Sequence, residues 1–163
     1  MEFTVVQGDI AQQEADAVVN AANTGLEMGS GVAGALRERG GEVLNEAAVE
    51  QGPIELGDVA VTDAYGLDAQ FVIHAAAMPA GGTATADSIR AATRNALHAA
   101  DKHACSSIVL PALGCGVAGF DLEDGARLVA EEIREFEPEH VEDVRFIAYS
   151  DEEYGTIRDV TGR

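Results

Sequence analysis

Short apolar runs alternate along this chain with segments in which apolar residues recur every three or four positions. The runs have the length of buried strands, and the recurring positions are typical of amphipathic helices. Strands are predicted at 3–10, 16–23, 57–66, 69–78, 106–113 and 141–149, and helices at 31–52 (interrupted at Gly40–Gly41), 85–104, 121–136 and 151–160. This alternation predicts an α/β fold in which a largely parallel sheet is covered by helices on both faces.

The segment 85–104 shows the helical pattern well, and Asp87 or Ser88 is expected to cap its start. Its apolar stripe comprises Ile89, Ala92, Ala96, Leu97 and Ala100. A stripe of this kind predicts a helix packed against the sheet.

Distinctive polar and glycine-rich residues follow four of the predicted strands. They are Gly8–Asp9, Asn20–Asn23, Gly114–Phe120 and Tyr149. Since ligands of parallel sheets bind at the carboxyl ends of the strands, these four exits are expected to open on one crevice.

Two nearly identical hexapeptides, GSGVAG at 29–34 and GCGVAG at 114–119, each precede a predicted helix. Glycines allow a phosphate to approach the backbone closely, and helix N-termini add oriented N–H groups. Both fit the G-x-G-x-x-G pattern of dinucleotide-binding folds, but neither follows the first strand nor has an acidic residue at the end of a second strand. We therefore expect them to form facing walls of amides around a diphosphate.

The charge balance narrows the possible partners. The chain has 29 acidic and 10 basic residues, a formal net charge of −19, and Lys102 is its only lysine. Duplex nucleic acid is bound largely through basic residues, so it is an unexpected partner. A dispersed acidic surface is typical of salt-adapted organisms, and we expect an archaeal source of that kind.

Compartment and metal content are also predicted. The apolar runs are too short to span a bilayer, the N-terminus lacks the pattern of a secretory signal, and two cysteines do not form a disulfide framework. We therefore expect a cytoplasmic protein without membrane attachment. His98, His103 and His140 have no ligand-like spacing with either cysteine, so no metal site is expected.

Several candidate site residues have an ordinary structural interpretation as well. Asp9 can bind an exocyclic amine or simply close a turn, and Asn23 can bind sugar hydroxyls or form an Asx turn. Phe120 and Tyr149 can stack on a ligand or pack in the core.

Two further residues are expected to be structural. Cys115 lies beside a helix N-terminus, which can lower a thiol pKa, but no base accompanies it in the motif, so a loop-filling role is expected. His74 lies within an apolar run, so we expect a buried or rim histidine.

Four motifs together resemble the macro domain family, whose members bind ADP-ribose. They are the GDI after the first strand, the NAAN at 20–23, the glycine loop entering a helix, and PALGCGVAGF at 111–120. The resemblance extends in order over essentially the whole chain. It implies a single macro domain over 1–163, a three-layer α/β/α sandwich around a mixed sheet, and a monomer that needs no cofactor.

The resemblance also implies a role for each candidate residue. Asp9 would contact the adenine amine, Ile10 would lie beside the base, and Tyr149 would stack near it. Asn23 and Phe120 would contact the distal ribose. The diphosphate would be wrapped by Gly31, Val32, Cys115, Gly116, Val117 and Gly119.

One departure concerns catalysis. Family members that efficiently remove ADP-ribose from acidic side chains commonly have Asp after the Gly-Val of the first loop, whereas this chain has Ala33. Any hydrolysis of ADP-ribosyl-protein esters or of ADP-ribose 1″-phosphate would then use a water positioned by Asn23. Three functions stay open: an ADP-ribosyl hydrolase or ADP-ribose 1″-phosphate phosphatase, a reader of free ADP-ribose or mono-ADP-ribosylated protein, and a nicotinamide-dependent oxidoreductase.

Overall fold

The computed structural model describes residues 1–116 and 119–163, which form six strands and five α-helices. The strands are β1 (Thr4–Gln7), β2 (Ala17–Asn23), β3 (Val59–Asp63), β4 (Phe71–Met78), β5 (Ser107–Leu110) and β6 (Asp143–Ala148). The helices are α1 (Gly31–Gly40), α2 (Glu42–Glu50), α3 (Ala86–Lys102), α4 (Leu122–Glu135) and α5 (Asp151–Thr161), and a 3-10 turn spans Ile10–Gln12. The predicted elements are all present, with ends that differ by a few residues.

The strands form one sheet in the order β1-β6-β5-β2-β4-β3. All neighbouring pairs are parallel except β3 and β4, which are antiparallel with Ala60 opposite His74. The prediction of a mixed, largely parallel sheet is therefore confirmed.

Strand β2 shows why helices must cover both faces. Ala17 and Val19 belong to the apolar cluster beneath α3, α4 and α5, whereas Val18 and Ala22 belong to the cluster beneath α1 and α2. Because successive side chains of a strand point to opposite faces, an almost wholly apolar strand needs a cover on each side. The result is the three-layer α/β/α sandwich that was predicted.

The start of α3 corrects one expectation. Thr85 is the capping residue, since its side chain accepts a hydrogen bond from the N–H of Ser88 at 3.1 Å. The Ser88 hydroxyl accepts in return from the N–H of Thr85 at 2.9 Å, which completes a capping box. The prediction of Asp87 or Ser88 as the cap was wrong, because both residues already lie within the helix, which begins at Ala86.

Candidate functional site

A cavity of about 880 Å³ opens at the edge of the sheet where the parallel strands end. Its wall includes residues at or just after the ends of all five parallel strands, which are Gly8, Asn23, Met78, Pro111 and Tyr149. Parallel strands bring their carboxyl ends to one edge, so residues far apart in the sequence meet there.

The structure brings most of the predicted site residues together in this cavity. The lining includes Asp9, Ile10, Asn23, Gly31, Val32, Cys115, Gly116 and Tyr149, and also Ala33. Gly119 and Phe120 are not part of the lining; Gly119 is exposed, and Phe120 packs against the apolar cluster beneath α3 to α5. Val117 lies outside the described residues.

Asp9 closes a turn and also faces the cavity. Its Oδ1 accepts a hydrogen bond from the N–H of Ala11 at 2.9 Å and so caps the 3-10 turn. The hydrogen bonds of the described residues leave its Oδ2 free. The two interpretations of Asp9 are therefore compatible, because each uses a different oxygen.

The Asn23 side chain, like that of Asp9, is held by backbone N–H groups of the residues that follow it. Its Oδ1 accepts from the N–H of Gly25 at 2.8 Å and from that of Leu26 at 3.1 Å. Leu26 is fully buried and has a positive φ of 64°, so this Asx turn holds a backbone conformation that leucine rarely adopts. With Oδ1 occupied, Asn23 can offer the cavity only the two N–H donors of Nδ2.

The first glycine loop delivers unpaired backbone donors to the cavity wall. Helix α1 begins at Gly31, whose φ is 63°, and the Ser30 side chain makes no capping hydrogen bond. Of the five described helices, α1 alone combines an absent side-chain cap with a first turn free of acidic residues. Its first N–H groups therefore remain available to an anion.

The second glycine loop is built differently, despite its nearly identical sequence. The N–H groups of Cys115, Gly119 and Phe120 donate to the carbonyls of Ala112, Gly116 and Gly114, respectively. Helix α4 begins after the loop, with Asp121 as its cap and Glu123 and Asp124 in its first turn. Unlike α1, helix α4 therefore begins with a carboxylate cap, while the expected role of the second loop's own amides stays a prediction.

Cys115 fills the second loop. Its Sγ lies 2.3 Å from the point that a Cβ on Gly125 would occupy. Burial, with the nearby Glu153 and Asp121 carboxylates, raises the pKa of its thiol to about 12. The thiol is therefore protonated at neutral pH and unsuited to act as a nucleophile.

Three lining carboxylates were not found from the sequence. Glu27, Glu38 and Glu153 join Asp9 in the wall, and among the lining residues that the structure describes none is Lys, Arg or His. Helical spacing offered a signal for Glu38, since it follows Val32 and Ala35 on one face of α1. Among the described lining residues, only backbone N–H groups and neutral side chains are therefore available as donors to an anion.

A buried polar row lies beneath α1 and α2. His74 Nδ1 accepts from Nδ2 of Asn20 at 3.0 Å, which leaves its Nε2–H to donate to Oγ1 of Thr62 at 3.0 Å. Of the two expected positions, buried or at the rim, His74 occupies the buried one. Desolvation lowers its pKa to about 4. The oxygen of Asn20 is buried without a partner in the described part of the chain.

The described residues contain neither a metal-binding cluster nor a membrane-spanning helix. No cluster of three or more His, Cys, Asp or Glu side chains there is arranged to hold a metal ion. No helix among them has the length and apolar character needed to cross a membrane.

Comparison with known sequences identifies relatives over nearly the whole chain. A family model described as "Macro domain" matches residues 19–129. An uncharacterised protein of Sulfolobus acidocaldarius is 38% identical over 98% of this chain and 90% of its own length. An uncharacterised protein of Mycobacterium tuberculosis is 41% identical over 93% of this chain, which spans only 42% of that relative. The chain thus covers about two fifths of the mycobacterial protein.

Solved structures resemble the fold closely. The Trypanosoma brucei macrodomain in complex with ADP-ribose superimposes with a TM-score of 0.87 at 28% identity, over 95% of this chain and 67% of that one. The Oceanobacillus iheyensis macrodomain with ADP gives a TM-score of 0.85 at 25% identity, over 97% of this chain and 88% of that one.

Proposed function

The chain belongs to the macro domain family, and we propose that residues 1–163 form a single macro domain whose cavity binds ADP-ribose, free or attached to protein. The observation that carries the proposal is the α1 N-terminus, uncapped and free of acidic residues, in the wall of a cavity at the carboxyl edge of the sheet. The similarity to macrodomains solved with ADP-ribose and with ADP supports the choice of ligand.

The adenine end is proposed at Asp9. Its free Oδ2 can accept a hydrogen bond from an exocyclic amine, while Oδ1 remains on the Ala11 amide. Ile10 presents a buried apolar surface beside it. Tyr149 is 75% exposed although it lines the cavity, so its ring is available to stack on a base.

The diphosphate is proposed on the first glycine loop. The first-turn N–H groups of Gly31, Val32 and Ala33 have no partner within α1, and the helix dipole adds partial positive charge there. Gly116 also lines the cavity and lacks a side chain that would obstruct a phosphate. The described residues therefore favour the first loop as the stronger anion site.

The distal ribose is proposed beside Asn23. Since its Nδ2 can only donate, Asn23 would recognise a ribose hydroxyl through an oxygen lone pair. A donor of this kind orients a water but does not remove its proton, and the lining residue Ala33 supplies no base. We therefore propose a reader of ADP-ribose that hydrolyses ADP-ribosyl esters slowly or not at all.

Calorimetric titration with ADP-ribose tests the binding proposal. Asp9→Asn keeps an oxygen for the Ala11 amide and replaces the acceptor Oδ2 by a donor, so it should weaken binding at least about tenfold while the protein stays folded. Asp159→Asn, an equal change of charge on an exposed position of α5, is the matched control and should bind as the wild type does. Absence of binding by the folded wild type at millimolar ligand would refute the proposal.

Release of ADP-ribose from a protein mono-ADP-ribosylated on Glu or Asp separates reader from hydrolase. The expected result is little free ADP-ribose during an incubation in which binding reaches equilibrium. Rapid, catalytic release would instead assign a hydrolase. Preference for NADH over ADP-ribose would favour an oxidoreductase, but the 3-10 turn that follows β1 stands where such a fold needs its glycine loop.

A further inference from the structure

Because the chain breaks at Gly40–Gly41, one side chain of α1 and one of α2 both contact the segment that leads into the first glycine loop. Gly41 has a φ of 94°, which favours glycine, and a Cβ on Gly40 would lie 2.6 Å from Cδ2 of the buried Leu44, which would have to shift. Because the chain turns here, α2 packs beside α1 and does not extend it.

Both backbone groups of Met28 are held by these two helices. The N–H of Met28 donates to Oδ1 of Asn45, on α2, at 2.8 Å. Its carbonyl accepts from a terminal guanidinium nitrogen of Arg37, on α1, at 2.7 Å. We call this arrangement of Asn45, Met28 and Arg37 the Met28 clamp.

Arg37 also fixes the two helices to each other. Its remaining nitrogens pair with both carboxylate oxygens of Glu42, the first residue of α2, at 2.8 Å and 2.7 Å. A bidentate pair of this kind restricts the guanidinium in orientation as well as in position. The contact to the Met28 carbonyl is therefore made by a group that is already immobilised.

The loop that follows Met28 has few other restraints. Gly29, Ser30 and Gly31 are exposed, and nothing lies within 4 Å of the position that a Cβ on Gly29 would take. Ordering a glycine-rich backbone costs more conformational entropy than ordering other residues. A fixed point directly before the loop lowers that cost before a ligand arrives.

We infer that Asn45 and Arg37 are positioning residues for the diphosphate subsite, acting on the amides of α1 through the Met28 clamp. The inference rests on the proposed function, because it concerns the same cavity. Neither side chain is among those that line the cavity. Their effect should therefore be specific to the phosphates, and contacts to adenine should be unchanged.

Asn45→Leu removes the acceptor of the Met28 N–H and tests this directly. The affinity for ADP-ribose, measured by calorimetry, should fall about tenfold, whereas the affinity for adenosine, followed by NMR titration, should stay within about twofold. Asn45→Asp retains an oxygen acceptor and should bind ADP-ribose as the wild type does. Arg37→Met, which keeps the aliphatic stem, should repeat the loss independently.

Asn95→Leu is the matched control. Asn95 is also half-buried on a helix and makes one 2.8 Å hydrogen bond to a loop backbone, at the carbonyl of Gly57. It should reduce the free energy of unfolding without changing either affinity. The inference would be overturned if both Asn45→Leu and Arg37→Met bound ADP-ribose with wild-type affinity, or if they lost affinity for adenosine equally. A wild type that does not bind ADP-ribose would refute the proposed function instead.

Discussion

Replacing His74 by glutamine should remove a loss of stability that the wild type suffers in mild acid. The imidazole is neutral in the folded protein, because it accepts from Asn20 through one nitrogen and donates to Thr62 through the other. Desolvation lowers its pKa from 6.5 to about 4. In the unfolded chain the ring is hydrated and takes up a proton near its ordinary pKa.

The sign and size of the effect follow from proton linkage. Below pH 6.5 the unfolded state binds a proton that the folded state refuses, so stability falls as the pH falls and levels off below about pH 4. Each pKa unit of difference between the two states is worth about 1.4 kcal/mol, which gives a total of about 3.4 kcal/mol. About 2 kcal/mol of this should already be lost at pH 5.

Urea unfolding followed by circular dichroism at pH 8 and pH 5 measures the effect, with the free energies of unfolding compared between variants. His74→Gln can still accept from Asn20 and donate to Thr62, and its stability should change about 2 kcal/mol less between the two pH values than that of the wild type. His98→Gln, on the exposed face of α3, should keep the wild-type loss. Equal losses in wild type and His74→Gln would refute the reasoning.

Three other perturbations test separate parts of the structure. Asn23→Asp keeps the oxygen that accepts from Gly25 and Leu26 but replaces two donors by an anion, so calorimetry should show ADP-ribose affinity reduced at least about tenfold at unchanged urea stability; unchanged affinity would contradict the donor role. Gly114 has a φ of 77°, and a Cβ there would lie 2.7 Å from Ile89, so Gly114→Ala should lower the free energy of unfolding by about 2 to 4 kcal/mol. Gly155→Ala, with open space around it, should not lower it, and equal effects in urea unfolding would disprove the packing argument. Because the described lining has carboxylates and no basic side chain, ADP-ribose should bind more tightly in about 1 M than in about 0.1 M KCl, and calorimetry showing weaker binding at high salt would contradict this.

The order of the elements could be predicted because the sheet is buried on both faces. Strand β2 is apolar almost throughout, and such a run is typical of a strand covered on both sides. The break at Gly40–Gly41 was also visible, since two adjacent glycines disfavour a continuous helix. These signals are local, and the residues that produce them are close together in the sequence.

The features that were missed depend on long-range contacts or on ambiguous local signals. Glu27 and Glu153 meet in the cavity wall only through the topology of the sheet, and in a chain with 29 acidic residues nothing in the sequence distinguishes them. The difference in capping between the helices at the two glycine loops was predictable in part. Asp121 stands in the sequence as a candidate cap for α4, but the likeness of the two hexapeptides favoured an equal role.

The two ends of the chain meet at the edge of the sheet where the parallel strands begin, opposite the edge that carries the cavity. Arg163 forms an ion pair with Glu2 at 2.7 Å, and its guanidinium lies 4.7 Å from the centre of the Phe3 ring. Strand β1 starts at this edge. Helix α5 begins beside the cavity and runs back to the same edge. Further polypeptide fused to either terminus, or the whole unit inserted into a loop of a larger protein, would be attached away from the cavity mouth and leave it open. The same geometry makes both termini suitable for tags or surface immobilisation in the binding assays.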